Sequence, residues 1–242
     1  MRNDYSRGLY YALQGVKDFY RNKFLWKYTI VPLSILLILH IAVWTGAFIW
    51  LAPYLEENIT QSLPRWLLDL IPLNTAVTVL TCFCAVVILA VLSNCIYETV
   101  GAFFFPAMVR AYEERVLNIT LPQLSLRSTM RNCLASCGLS CIIIMLLMLL
   151  SWMALLIPVI GMLFFLLIMG YQYSILFMSE ACFSQDCRLS DMKYHFSTKT
   201  GVLHGFGMFA FFMVQIPFVS PLLYPGFLLG GTRMFNEEQD NI

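Results

Sequence analysis

The chain has 242 residues, of which 60% are hydrophobic and 12% are charged, with a formal net charge of +1. The charged fraction is about half of the roughly 25% that is usual for soluble domains, so the composition excludes an ordinary soluble protein and indicates an integral membrane protein. A net charge so close to zero supplies no general attraction for nucleic acid, and we expect no nucleic-acid partner.

Residues 1–27 are polar and charged, without a short apolar stretch followed by a cleavage site, so we expect no cleavable signal peptide. Apolar or aromatic side chains recur here at helical spacing: Leu9, Leu13, Val16, Tyr20 and Phe24. This pattern predicts an amphipathic N-terminal helix. Such a helix could lie on the membrane surface or pack on the protein itself, and the two arrangements are compatible.

Two long apolar segments follow. Residues 28–52 carry no charge and, at about 1.5 Å per residue, are long enough to cross a bilayer as a helix. Residues 53–73 read as a polar loop. Residues 74–117 predict a second transmembrane helix that continues past a kink at Pro106 and leaves the bilayer as an amphipathic extension.

Two further apolar runs are broken near their centres. Residues 132–179 lack Asp, Glu, Lys and Arg and are interrupted by Pro158 and Gly161, and residues 200–232 are interrupted by Pro217. We predict two helical hairpins, the second re-entrant and the first either re-entrant or fully spanning. Because broken backbone at membrane depth must be covered by protein or water, these breaks indicate a transport pathway.

Lysine and arginine counts predict the orientation. Six lie in residues 1–27, four in 98–131 and three in 180–199, against one in the 53–73 loop. The positive-inside rule therefore places the N-terminus and the other two basic segments in the cytoplasm of a multi-pass plasma-membrane protein. Each broken run would then begin and end on the same side.

Cysteines suggest two candidate sites. Cys133, Cys137 and Cys141 recur every four residues, but no His, Asp or Glu lies nearby, so we expect packing at a helix interface and no metal. Cys182 and Cys187 could form a disulfide, but we place their loop in the cytoplasm, where thiols stay reduced.

His40 lies inside the first span and is an ionisable candidate for a functional role. It could take part in proton coupling, or it could be a neutral histidine that is hydrogen-bonded to a neighbouring helix. We find no phosphate-binding loop, dinucleotide fingerprint, zinc-protease motif or nucleophile elbow, and therefore expect neither an enzyme nor a cofactor.

Several stretches, taken in order, carry a resemblance to a known family. They are Gly-Leu-Tyr-Tyr-Ala-Leu-Gln-Gly at 8–15, Ile-Val-Pro-Leu at 30–33, Ile-Pro-Val-Ile-Gly at 157–161, Tyr-Gln-Tyr at 171–173, Ile-Pro at 216–217, and the loop from Asp-Met-Lys at 191–193 through Gly-Phe-Gly at 205–207. Over nearly its whole length the chain resembles the CysZ sulfate permeases, part of the wider family named for the etoposide-induced membrane protein. The resemblance implies sulfate import across the bacterial inner membrane for cysteine biosynthesis.

The resemblance also implies an anion site at the start of the first span, where the family carries Gly-x-Arg-Arg. The matching positions are Phe24, Leu25, Trp26 and Lys27, with Lys23 beside them. A helix N-terminus there would offer N–H donors and a partial positive charge to the anion. Alternatively, the two lysines are interfacial anchors next to a tryptophan.

The family places acidic residues on the helix that leaves the membrane, and Glu113 matches one such position. Alternatively, Glu113, Glu114 and Arg110 form a solvated face with ordinary helical ion pairs.

From these patterns and the resemblance we predict a permease for sulfate or a related oxyanion such as thiosulfate. We expect this permease to self-associate in the bilayer. The alternative is a non-transporting membrane scaffold or assembly protein.

Overall fold

The structure is a computed structural model whose described residues are 4–62, 73–123, 130–132, 134–135, 138–139, 141–143, 145–146, 149–150, 158–188, 190–192, 196–216 and 219–239. Within these residues the regular structure is helical, with no β-strand, which confirms the all-α class. The principal helices are α1 (Asp4–Arg21), α2 (Lys27–Gly46), α3 (Ala52–Ser62), α4 (Leu73–Arg115), α5 (Pro158–Ser184), α6 (Thr200–Val214) and α7 (Ser220–Gln239). The described positions between 130 and 150 are helical as well.

The first long helix does not stop where the sequence predicts. A π-helical segment, Ala47–Leu51, joins α2 to α3, so the helix continues to Ser62. The prediction of a loop is therefore wrong for residues 53–62. Pro53 lacks an N–H and its ring crowds the carbonyl four residues earlier. The wider π turn directly before this proline gives the ring room, so the helix absorbs it.

Among the residues that the structure describes, two helices are long and apolar enough, by length and composition, to cross a membrane: Lys27–Ser62 and Ile160–Ser184. On the first of these, Leu37, Ile38 and Ile41 are each about 60% exposed, a surface suited to lipid. α4 has 43 residues, includes Pro106, and would measure about 65 Å, roughly twice the hydrocarbon thickness. A helix of that length extends beyond a bilayer, and Asn118 follows its end with φ 56°.

The two ends of the first broken run meet. The Arg131 Nη2 atom lies 2.8 Å from Asp186 Oδ1, and the Asn132 side chain donates to the Phe183 carbonyl at 3.0 Å. The described part of α5 runs from Pro158, next to the predicted break, to Ser184. The two ends of the run therefore lie together, while its hairpin course through the bilayer stays a prediction.

The ends of the second broken run also lie close together. α6 has 15 residues, about 22 Å, which is too short for a full span. α7 begins after the break and ends at Gln239, seven residues beyond the predicted end at 232. Near these two ends, Lys199 Nζ lies 3.1 Å from Glu238 Oε2.

α1 packs on the protein, chiefly against α6 and α7. A Cβ atom on Gly8 would lie 2.2 Å from the Val202 carbonyl oxygen, and one on Gly15 would lie 2.2 Å from the Gly230 nitrogen, so glycine permits this close approach. The buried face holds Tyr11, Ala12 and Phe19, while Leu9, Leu13 and Tyr20 are exposed. α1 thus packs on the protein and keeps an apolar strip outward.

Candidate functional site

The predicted anion site is a 3-10 turn, Lys23–Leu25, between α1 and α2. Leu25 is fully buried, while Lys23, Trp26 and Lys27 are exposed. The buried leucine fixes the turn to the core, so the basic side chains on either side of it remain accessible at the surface.

The backbone of this turn is partly committed to its own hydrogen bonds. The Leu25 N–H donates to the Asn22 carbonyl at 2.9 Å, and the Trp26 N–H donates to the Lys23 carbonyl at 3.2 Å. These two donors are therefore occupied within the turn and are not available to an anion in this conformation. Anion binding here would rest on side-chain charge and on the first turn of α2.

The structure adds a third cation to the turn. Arg115, at the end of α4, places its guanidinium carbon 5.4 Å from the centre of the Phe24 ring, and Lys27 places Nζ 4.8 Å from the centre of the Tyr28 ring. Both are cation–π distances. Arg115 was missed at the sequence level because a basic residue at a helix end gives no sign of which loop it will reach.

A second group of polar residues surrounds Glu113, whose side chain is fully buried. Its carboxylate accepts hydrogen bonds from Ser184, from Gln185 Nε2 at 2.9 Å and from Asn236 Nδ2 at 3.2 Å. We call Glu113, Ser184, Gln185 and Asn236 the Glu113 cluster. It joins the C-terminal ends of α4, α5 and α7.

Glu113 therefore does not belong to a solvated face, and that alternative is wrong for this residue. The solvated-face alternative does hold for Arg110 and Glu114, because Arg110 Nε lies 3.1 Å from the exposed Glu114 carboxylate. Burial raises the pKa of Glu113 above its ordinary value, although the cluster's hydrogen bonds and the charge of Arg110 act in the opposite direction. The site therefore holds a carboxyl group that takes up a proton more readily than an exposed glutamate does.

Two other buried carboxylates hold α1 in place. Asp18 accepts hydrogen bonds from Tyr112 at 2.7 Å and from Arg233 Nη1 at 3.0 Å. Glu238 accepts one from Tyr11 at 2.9 Å and another from Arg7. Sequence reasoning missed both acids because charged residues on amphipathic helices usually face solvent.

The other predicted residues lie far from the Lys23–Leu25 turn and from the Glu113 cluster. Pro158 and Gly161 begin α5, and Gly161 is about 35 Å along that helix from Ser184. His40 is about 20 Å along α2 from Lys27, and its Nδ1 atom lies 2.8 Å from the Leu36 carbonyl of its own helix. Pro217 is outside the described residues.

No group of three His, Cys, Asp or Glu side chains that could hold a metal ion occurs among the residues that the structure describes. Cys141 is an exposed free thiol there, whereas Cys133 and Cys137 fall outside the described positions. Cys182 and Cys187 are free thiols, so the structure shows the reduced form.

The described residues are helical and include two apolar helices of membrane-spanning length, which indicates a membrane protein. The family comparison then gives the particular group. The chain belongs to the sulfate transporter CysZ/etoposide-induced protein 2.4 family, whose model matches residues 11–225. This is a transporter family and not an enzyme family. No curated protein matches the chain.

Proposed function

We propose that this protein imports sulfate across the bacterial inner membrane and so supplies cysteine biosynthesis. Family membership supports sulfate as the substrate. The structural observation that carries the proposal is the position of Arg115 over Phe24, a ring that lies between Lys23 and Lys27 in the chain. Together these three cations at the start of α2 would attract a divalent oxyanion.

Arg115 compensates for what the turn lacks. Where the family has a pair of arginines, this chain has Trp26 and Lys27. Lysine provides a point charge, whereas a guanidinium presents a planar fork that matches the geometry of an oxyanion. The N-terminal turn of α2 adds its partial positive charge. From this entry site the anion would pass the breaks that the sequence predicts near Pro158, Gly161 and Pro217.

Glu113 gives the pathway a group that can be neutralised. Importing a divalent anion costs about 2.3 kcal/mol per charge for each 100 mV of opposing membrane potential. A proton carried on Glu113, with His40 further along α2, would offset part of this cost. A protonated Glu113 would also remove the repulsion between its carboxylate and the anion.

Radiolabelled sulfate uptake into proteoliposomes tests this function directly. We expect saturable uptake above that of empty liposomes, and loss of most of it in the Lys23→Ala/Lys27→Ala variant. Lys17→Ala, on the α1 surface outside the turn, is the matched control and should behave like wild type. Unlabelled thiosulfate in the assay distinguishes the related-oxyanion alternative, since a shared substrate would compete.

One observation favours the second candidate, a non-transporting membrane scaffold or assembly protein. The N–H groups of Leu25 and Trp26 are already hydrogen-bonded within the turn, which leaves fewer donors for an anion. Uptake equal to that of empty liposomes, from protein that is monodisperse in detergent, would favour the scaffold. Either role suits a protein that self-associates in a lipid bilayer, as we propose.

A further inference from the structure

The C-terminal end of α5 is closed by a specific hydrogen-bonded cap. The Cys187 N–H donates to the Cys182 carbonyl at 2.9 Å, and the Asp186 N–H donates to the Phe183 carbonyl at 3.2 Å. Asp186 has a φ of 57°, in the left-handed region. This pair of bonds around a left-handed residue is the Schellman motif.

The motif brings the side chains of its first and last residues together, normally as an apolar contact. Here those two residues are both cysteines. Cys182 is fully buried and Cys187 is half-buried, and both are free thiols. Cys182 is also among the groups that shift the pKa of the Cys187 thiol, as expected for two side chains that the motif brings close together.

We propose that Cys182 and Cys187 are a redox-active dithiol that closes reversibly to an intramolecular disulfide. Hydrogen peroxide is the oxidant we name. The more accessible Cys187 thiolate attacks one peroxide oxygen, which releases water and leaves a sulfenic acid. The Cys182 sulfur then attacks that sulfur, releasing a second water. Two thiols are oxidised and one peroxide is reduced to two waters.

The disulfide would act on the Glu113 cluster. The ring it closes contains Ser184 and Gln185, and both of these side chains donate to the Glu113 carboxylate. Oxidation would therefore constrain the backbone that positions two of the three donors. The redox state of the cap would be transmitted to the buried acid through these two residues.

The reaction should be slow at neutral pH. Burial raises the pKa of the Cys187 thiol, as do the nearby carboxylates of Asp191 and Asp186, although the hydrogen bond with Cys182 lowers it. Because the thiolate is the nucleophile, a mildly alkaline buffer and a long incubation suit the test.

The experiment uses full-length protein in detergent, treated with hydrogen peroxide, then denatured and labelled with N-ethylmaleimide. Intact mass counts the adducts. Peroxide-treated wild type should carry two fewer adducts than untreated wild type, and a phosphine reductant should restore both. Cys187→Ser should not show this loss of two adducts. Cys141→Ser, which changes an exposed thiol outside the pair, is the matched control and should lose the same two as wild type.

Equal losses in wild type and Cys187→Ser would overturn the proposal, as would losses that the reductant fails to reverse. A covalent dimer on a non-reducing gel that disappears in Cys187→Ser would also overturn it, because the bond would then join two chains. Gel filtration of each variant before treatment ensures that only folded protein is compared. The readout does not involve sulfate, so it is independent of the transport function.

Discussion

Tyr112 of α4 donates a hydrogen bond to Asp18 of α1 across 2.7 Å, and both side chains are buried. Arg233 of α7 lies 3.0 Å from the same carboxylate oxygen. One carboxylate therefore joins three helices that are far apart in the chain. The Glu113 cluster lies at the same end of the molecule. The polar contacts that hold α1 are therefore close to those that surround Glu113.

Replacing Asp18 should destabilise the protein. Asp18→Asn keeps the shape but removes the charge that pairs with Arg233, and hydrogen bonds to charged groups contribute about 1.5–3 kcal/mol. For a chain of this size we expect Tm to fall by roughly 3–12 °C in detergent. Asp4→Asn is the control, because Asp4 is exposed and lies 4.0 Å from Arg7. Equal Tm values for the two variants would show that Asp18 does not hold α1.

Glu113 should make stability depend on pH. Because burial raises its pKa, the folded protein binds this proton more tightly than the unfolded chain, so the stabilisation that Glu113 contributes is fully present below the ordinary value of 4.5 and is lost as pH rises through the folded pKa. Thermal unfolding across that range should show a decline that Glu113→Gln reduces. Glu114→Gln, one residue away and exposed, should retain the decline, and a Glu113→Gln curve identical to wild type would contradict this assignment.

A side chain at Gly15 should separate α1 from α7. A Cβ atom there would lie 2.2 Å from the Gly230 nitrogen and 2.3 Å from the Gly226 carbonyl oxygen, and backbone atoms cannot move aside cheaply. We expect Gly15→Ala to cost about 1–3 kcal/mol, as overpacking does, measured as a lower Tm.

Gly46→Ala is the matched control for this substitution. Its Cβ atom would meet only Trp50, at 3.9 Å, and alanine is favoured over glycine within a helix by about 0.5–1 kcal/mol. The two alanine variants should therefore change Tm in opposite directions. A stabilising Gly15→Ala would show that α1 and α7 are further apart than the structure has them.

Arg115 should set the affinity for the transported anion. Arg115→Gln removes the guanidinium over Phe24, and we expect the KM for sulfate uptake to rise about tenfold, the equivalent of roughly 1.4 kcal/mol. Arg131→Gln is the control, because that arginine is exposed and pairs with Asp186. An unchanged KM in Arg115→Gln, with uptake intact, would place the entry site elsewhere.

Local sequence patterns were sufficient for the helical class, because apolar runs and helical spacing are properties of short segments. They failed for the predicted loop from residue 53. A π segment accommodated Pro53, and composition alone does not reveal such an adjustment.

The sequence by itself determined that this is a helical membrane protein, because charge content and long apolar runs are properties of the chain alone. Only the tertiary structure decided which polar residues are buried and which partners they meet. Asp18 bonds to residues 94 and 215 positions away, and Arg115 reaches a turn on another helix. Such contacts depend on how the helices pack, and helical periodicity describes one helix at a time.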